Sequence, residues 1–224
     1  MCALRYLYIF RSERLTAFGL SPSNLGPMRT LAAPPFVLEP QLAAHAQEMF
    51  SVLSDPAIYE FENEPPIDEE WLRKRFERLE SRGSSDGTQQ WLNWVIRLSD
   101  GKLAGYVQAT VFQDGSAYVA YELNSQYWRQ GIGSSAVQAV LQELRDQYGV
   151  ATFIAVLKAH NYRSEALLRK LGFLPASDEQ AAQHRGESDE LVLVESAWLR
   201  RTRPSSLAEP RPKGRSPGTS HFHL

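Results

Sequence analysis

One change of period constrains this chain more than any other feature in it. From residue 91 to residue 123 the sequence reads as three short strands in succession, at 91–98, 103–112 and 117–123. Ser99-Asp100-Gly101-Lys102 and Asp114-Gly115 separate them, and Asp-Gly tolerates the positive φ that tight hairpins need. From Gly133 onward, Val137, Val140, Leu141, Leu144 and Tyr148 fall instead on one helical face. Residues 151–157 then form a continuous apolar run, the kind of strand that is covered on both faces. An antiparallel meander therefore passes into a βαβ unit, the order of a mixed α/β domain.

The flanking segments complete the outline. Residues 36–38 are strand-like, and residues 40–53 place Leu42, Ala46, Met49, Phe50 and Leu53 on one helical face. Residues 68–79 begin with Asp68, Glu69 and Glu70, which suit a helix N-terminus, and carry Leu72, Phe76 and Leu79 as a buried stripe. Residues 162–171 read as a helix stopped by Gly172, and 191–199 as a closing strand. Residues 176–190 are polar and weakly patterned. The 224 residues fit one domain with tails. Residues 1–27 show no sustained periodicity, so the domain is expected at 28–199 after a poorly ordered extension. Residues 200–224 are rich in Pro, Ser, Gly and Arg and are expected to be disordered.

Charge and cysteine content narrow the classes of function. Cys2 is the only cysteine, which leaves no internal disulfide and no cysteine metal cluster. The closing His-Phe-His sits on the tail, so a metal-free protein is expected. No apolar run approaches the ~20 residues of a membrane span. Arg5, Arg11, Glu13 and Arg14 break up the start as a secretory signal, so the cytoplasm is the expected location. The tail holds six basic residues against Glu209 alone, net +5, and residues 1–27 are net +2. With −2 overall, the middle carries −9. That favours cationic partners such as amines, or simply keeps the protein soluble; nucleic acid is expected only through the basic tail.

The segment from Asn124 to Ala136 carries the first half of a candidate site. Gly131 and Gly133 remove Cβ atoms where backbone must approach a ligand. The helix that follows aims its unpaired N–H groups and positive dipole end at this turn, which suits a pyrophosphate. Arg129 adds a charge-assisted bond. Gly131-x-Gly133-x-x-Ala136 formally matches a dinucleotide fingerprint, but the preceding strand ends too early, at Leu123. The next strand is followed by Lys158-Ala159-His160-Asn161, which holds no acid for a ribose. A P-loop fails because no Gly-Lys-Ser/Thr follows. Alone, the two glycines could equally form a plain tight loop.

The second half is Asn161-Tyr162-Arg163-Ser164-Glu165-Ala166-Leu167-Leu168-Arg169-Lys170-Leu171-Gly172-Phe173. Asn-x-x-Ser-x-x-Leu-x-x-x-x-Gly-Phe, downstream of a Gly-x-Gly turn, resembles the GNAT N-acetyltransferase family. More narrowly it resembles the branch with the Rim-type ribosomal-protein-alanine N-acetyltransferases, where Trp often stands three residues before the first glycine, as Trp128 does. The resemblance spans residues 28–199. It implies a twisted, mixed, mostly antiparallel sheet splayed into a V, flanked by about four helices, with acetyl-CoA as co-substrate in the opening.

Site residues follow from that resemblance. Arg129, Gln130, Gly131, Ile132, Gly133 and Ser134 would hold the pyrophosphate, and the 121–125 strand edge would pair with the pantetheine amides. Asn161 and Ser164 would touch the pantetheine arm near the sulfur, unless they only cap their helix. Glu122 is the candidate base, or else an ordinary strand glutamate. The Leu123 N–H would face the thioester oxygen. The tyrosine that often serves as acid is Leu168 here, and Ser164 is the substitute donor. Tyr59, Glu60, Phe61 and Glu62 would attract and wall the acceptor, a small amine or a protein N-terminus, or form a solvated acidic loop. His160 is a second base candidate or a plain loop histidine, and Trp91, Trp94 and Trp128 are expected to pack. A monomer or homodimer is expected, and a non-catalytic acyl-CoA-binding module of the same fold is the alternative.

Overall fold

A computed structural model describes residues 27–61 and 63–196. The N-terminal extension up to residue 26, the tail from residue 197 and Glu62 lie outside the described residues. A hairpin of β1 (Leu31–Ala33) and β2 (Phe36–Pro40) opens the fold. Helices α1 (Ala46–Leu53) and α2 (Glu69–Leu79) follow, then strands β3 (Gln89–Arg97), β4 (Leu103–Phe112) and β5 (Ser116–Leu123). Next come α3 (Ile132–Tyr148), β6 (Thr152–Lys158) and α4 (Tyr162–Lys170), then β7 (Leu174–Pro175), α5 (Asp178–His184) and β8 (Glu190–Ser196). The strands form one sheet in the order β1-β2-β3-β4-β5-β6-β8-β7.

Local chemistry explains most boundaries. Asp68 caps α2, its carboxylate accepting from the Trp71 N–H at 2.6 Å, with Glu69 and Glu70 against the helix dipole. Asn161 caps α4 by accepting from the Ser164 N–H at 3.2 Å. Two expectations are corrected. Leu42 is 45% exposed, because a 3-10 turn at Ala43–His45 delays α1 to Ala46 and leaves Leu42 extended, out of helical phase. The polar stretch 176–190 contains α5, started by a Ser177–Gln180 capping box. With it the described residues hold five helices, in line with the expected mixed sheet flanked by about four.

The sheet has a core on each face. Trp94, Val107, Val119, Tyr121 and Leu123 pack with Ala136, Val140 and Leu144 of α3 and with Leu168 of α4. On the other face Val95 and Leu103 pack with Met49 and Leu53 of α1 and with Leu72 and Phe76 of α2. The period-2 alternation of β5 therefore turns Tyr121 and Leu123 toward α3, and Glu122 toward α1 and α2.

Two irregularities shape the centre of the sheet. The parallel ladder between β5 and β6 covers only residues 116–118 against 152–154, although β5 runs to Leu123 and β6 to Lys158. The two strands part beyond that ladder, which opens the expected V. Across β3 and β4, Ile96 lies opposite Gly105 while Arg97 lies opposite Leu103, so Ala104 is an extra residue, a bulge beside the opening.

Candidate functional site

The turn between β5 and α3 is built by its own side chains. Asn124 accepts from the Gln126 N–H and starts a 3-10 turn at Ser125–Tyr127. The Asn124 amide donates to the Val52 carbonyl at 3.0 Å, and the Ser125 N–H donates to Asp55 at 2.7 Å, which ties the turn to the end of α1. The Trp128 indole N–H donates to the Leu123 carbonyl at 2.7 Å. Trp128 is thus a bracket that folds the turn back on β5, more than the packing residue its type alone indicates. Gly131 has φ 81°, a left-handed conformation that glycine adopts without strain, and it starts the 17 residues of α3.

Beside this turn lies a cavity of about 350 Å³. Arg129, Gly131, Gly133 and Ser134 form one wall; Arg163, Ser164 and Leu167 of α4 form another; Tyr121 and Leu123 form its floor. The first N–H groups of a helix have no partner within it, so α3 offers an anion site there. Gln130 turns away from this wall, its amide donating to the Gln126 carbonyl at 2.8 Å. Ile132 is 9% exposed and packs into the α3-side core, so only its backbone is available to a ligand.

Ser164 is the polar atom on this wall that needs explaining. It is 1% exposed, and its hydroxyl oxygen has no hydrogen-bond partner among the described residues. A buried hydroxyl left without a partner costs roughly 1–3 kcal/mol. Asn161, fully buried, uses its side-chain oxygen on the Ser164 N–H, so the capping role expected of it is present. Leu168 is fully buried among the core residues between α4 and the sheet.

On the opposite face of β5, Glu122 is 6% exposed. Burial pushes its carboxyl above the ordinary glutamate range, against the opposing pull of a Tyr106 hydrogen bond and the Arg75 charge. Tyr59 stands close enough that the Glu122 charge, after burial, helps raise its phenol. The Tyr59 hydroxyl itself donates to the Leu53 carbonyl at 2.7 Å. These groups converge from a 3-10 turn at Pro56–Tyr59, from α2 and from β4.

Glu60 and Phe61 lie at the rim. Glu60 pairs with Arg163, and the Arg163 guanidinium sits 5.3 Å from the Phe61 ring, 4.8 Å from Trp128 and 5.3 Å from Tyr162. Phe61 also meets His160 edge-on, with ring centroids 5.3 Å apart. The structure therefore brings Glu122 and Tyr59 together, and Glu60 and Phe61 to α4 instead. Tyr106, Arg75 and Arg163 escaped the sequence reading. Counting outward from Asp114-Gly115 as a two-residue turn would set Tyr106 opposite Leu123; the ladder pairs it with Glu122 because the loop also takes in Gln113.

Comparison with known proteins bears on both halves. Residues 36–174 match the model of the GNAT acetyltransferase domain. A [ribosomal protein bS18]-alanine N-acetyltransferase of Escherichia coli strain K12 is 28% identical over 107 residues. That alignment covers 48% of this chain and 66% of the relative, just under two thirds of its length. Among solved structures, a ribosomal L7/L12 alpha-N-protein acetyltransferase in complex with coenzyme A superposes with a TM-score of 0.64 at 16% identity, over 75% of this chain and 98% of that one. The microcin C7 self-immunity acetyltransferase, in complex with acetyl-CoA and AMP, superposes with a TM-score of 0.60 at 19% identity, over 72% and 92%.

Proposed function

We propose, from the premise that this chain belongs to the GNAT acetyltransferase family, that it is an N-acetyltransferase moving an acetyl group from acetyl-CoA to a primary amine. Ser164 carries this reading. A buried hydroxyl without a partner, on the wall of a cavity between a helix N-terminus and α4, is a group left for a ligand to satisfy. The cavity fits the co-substrate in kind: backbone N–H groups, Arg129 and Arg163 for phosphates, and an apolar floor for a thin arm. Acetyl-CoA supplies the activated acetyl thioester.

The chain's own groups divide the remaining work. Glu122, held from bulk water and above the ordinary carboxylate range, is suited to take a proton from the acceptor ammonium. The backbone N–H of Leu123 is the assigned donor to the thioester oxygen. Ser164 is the assigned proton source for the departing sulfur, because Leu168 carries no exchangeable proton. Tyr59 walls the acceptor side. An α-amine, with a reference pKa of ~8 against ~10.4 for lysine, asks less of the base. The relatives named for alanine and alpha-N acetylation make a protein N-terminus the acceptor class to test first. The cytoplasm fits that acceptor, and no helix among the described residues is long and apolar enough to cross a membrane.

Calorimetry with acetyl-CoA tests the reading, comparing the wild type with a Gly131→Glu, Gly133→Glu double variant. Binding by the wild type that is lost in a folded variant supports it. Absence of binding by folded wild type defeats it. Release of free thiol with a panel of amines and peptides then separates an enzyme from a module that binds without turnover.

A further inference from the structure

We propose that Tyr106 is a positioning residue for the base: its hydroxyl donates to the Glu122 carboxylate and fixes which way that carboxylate faces, with Arg75 supplying the balancing charge. This rests on the reading of Glu122 as the base. The placement is set by the sheet. Tyr106 and Glu122 are direct cross-strand partners on β4 and β5, and alternation turns both toward α1 and α2.

Two tyrosines approach the carboxylate, and their hydroxyls are committed differently. Tyr59 gives its hydroxyl proton to the Leu53 carbonyl at 2.7 Å and is coupled to Glu122 only through charge. Tyr106 has its side-chain hydrogen bond with Glu122 itself. Among the described residues, the charged and titratable groups that face Glu122 are therefore Tyr106 from β4, Tyr59 from the 3-10 turn and Arg75 from α2. The Asp55 charge acts on Tyr59.

The pairing also sets the chemistry. A phenol with its own deprotonation pushed far up, by burial first and by the Glu122 charge next, stays a donor throughout the working range. A donor aimed at a carboxylate favours its charged form. Burial alone would drive Glu122 toward the neutral acid, which cannot accept a proton from an ammonium. Tyr106 opposes that.

Tyr106→Phe keeps the ring and removes the hydroxyl, so the half-buried site stays filled. The protonated-carboxyl infrared band of Glu122, isolated by subtracting Glu122→Gln, is titrated in the wild type and in Tyr106→Phe. The midpoint should lie above the ordinary carboxylate range in the wild type and higher still in Tyr106→Phe. With a tripeptide amide beginning in alanine as the acceptor, the acidic limb of kcat/KM should move up in parallel. kcat should fall roughly tenfold or more, the scale of one hydrogen bond to a charged group, with acetyl-CoA affinity unchanged. Equal midpoints in the two proteins would overturn the proposal, whether or not the tripeptide is turned over. A midpoint that moves while the rate limb stays fixed would overturn it differently, leaving the hydrogen bond in place but removing Glu122 as the base. Loss of acetyl-CoA binding in the wild type would count against the acetyltransferase reading and not against the bond.

Discussion

Gly105 lies so close to Glu122 that a methyl group on its α-carbon would stand 2.1 Å from the Glu122 carbonyl oxygen and 2.8 Å from the Leu123 α-carbon. Both atoms are backbone, and the Asn124 N–H is anchored beside them, donating to the Ala104 carbonyl at 2.9 Å. No side chain can yield to relieve the contact. Gly105→Ala must push β5 away from β4 at Glu122 and Leu123. We expect a loss of about 2 kcal/mol or more, the scale of overpacking a core, seen as a lower denaturant midpoint. Activity should fall further than stability, because the displaced residues are the ones assigned to the reaction.

Ser164→Ala should separate stability from turnover. The hydroxyl is buried without a partner, so its removal is expected to be neutral or to stabilise the ligand-free protein by about 1 kcal/mol. Thermal unfolding without acetyl-CoA checks this. The same variant should turn over more slowly. A clear loss of stability would mean that the hydroxyl is structural, as a helix-start serine often is.

Glu122→Gln gives a pH-dependent stability change of definite sign. Burial raises the folded-state pKa of Glu122 above the ordinary 4.5. Between that unfolded value and the folded one, the native state binds more protons, so the wild type loses stability as pH rises through the window. Glutamine does not titrate. The variant should therefore gain on the wild type as pH rises, most above the folded pKa, and the gain should vanish below the unfolded value. Denaturation at several pH values shows the trend directly, and an opposite slope would count against a buried, raised carboxyl.

Arg163→Ala should weaken acetyl-CoA binding roughly tenfold while changing stability little. Its pair with Glu60 is partly exposed, and such pairs contribute little to folding. On the proposed reading its position on the cavity wall makes it a phosphate partner, and one charged hydrogen bond is on the scale of a tenfold change in Kd. Arg163→Lys should restore only part of the affinity, since lysine keeps the charge but not the planar stacking on Trp128 and Phe61. Calorimetry at low and high salt tests both.

Features that depend on neighbours in sequence were readable before any coordinates. The Asp-Gly turns, the Asp68 and Asn161 caps and the glycine turn ahead of α3 each follow from local chemistry. The V is implied by the resemblance to the GNAT family, carried by two motifs that are each short and contiguous in the chain. Short edge strands β1 and β7 escaped because two or three residues carry no period. Helix α5 escaped because its apolar content is small, although its capping box was in plain sight. The groups around Glu122 escaped for a different reason. Tyr106 and Arg75 meet it only through sheet register and the docking of α2, relations that no spacing in the chain expresses.

The alternation of β5 carries one last consequence. Tyr121 and Leu123 line the cavity on one face, while Glu122 looks out from the other. On the proposed reading, a strand one residue thick is the partition between the compartment of the donor and that of the acceptor, so residue parity decides which substrate a substitution touches. A new acceptor could be selected through the even-numbered position and its neighbours on α2, leaving the donor chamber as it stands.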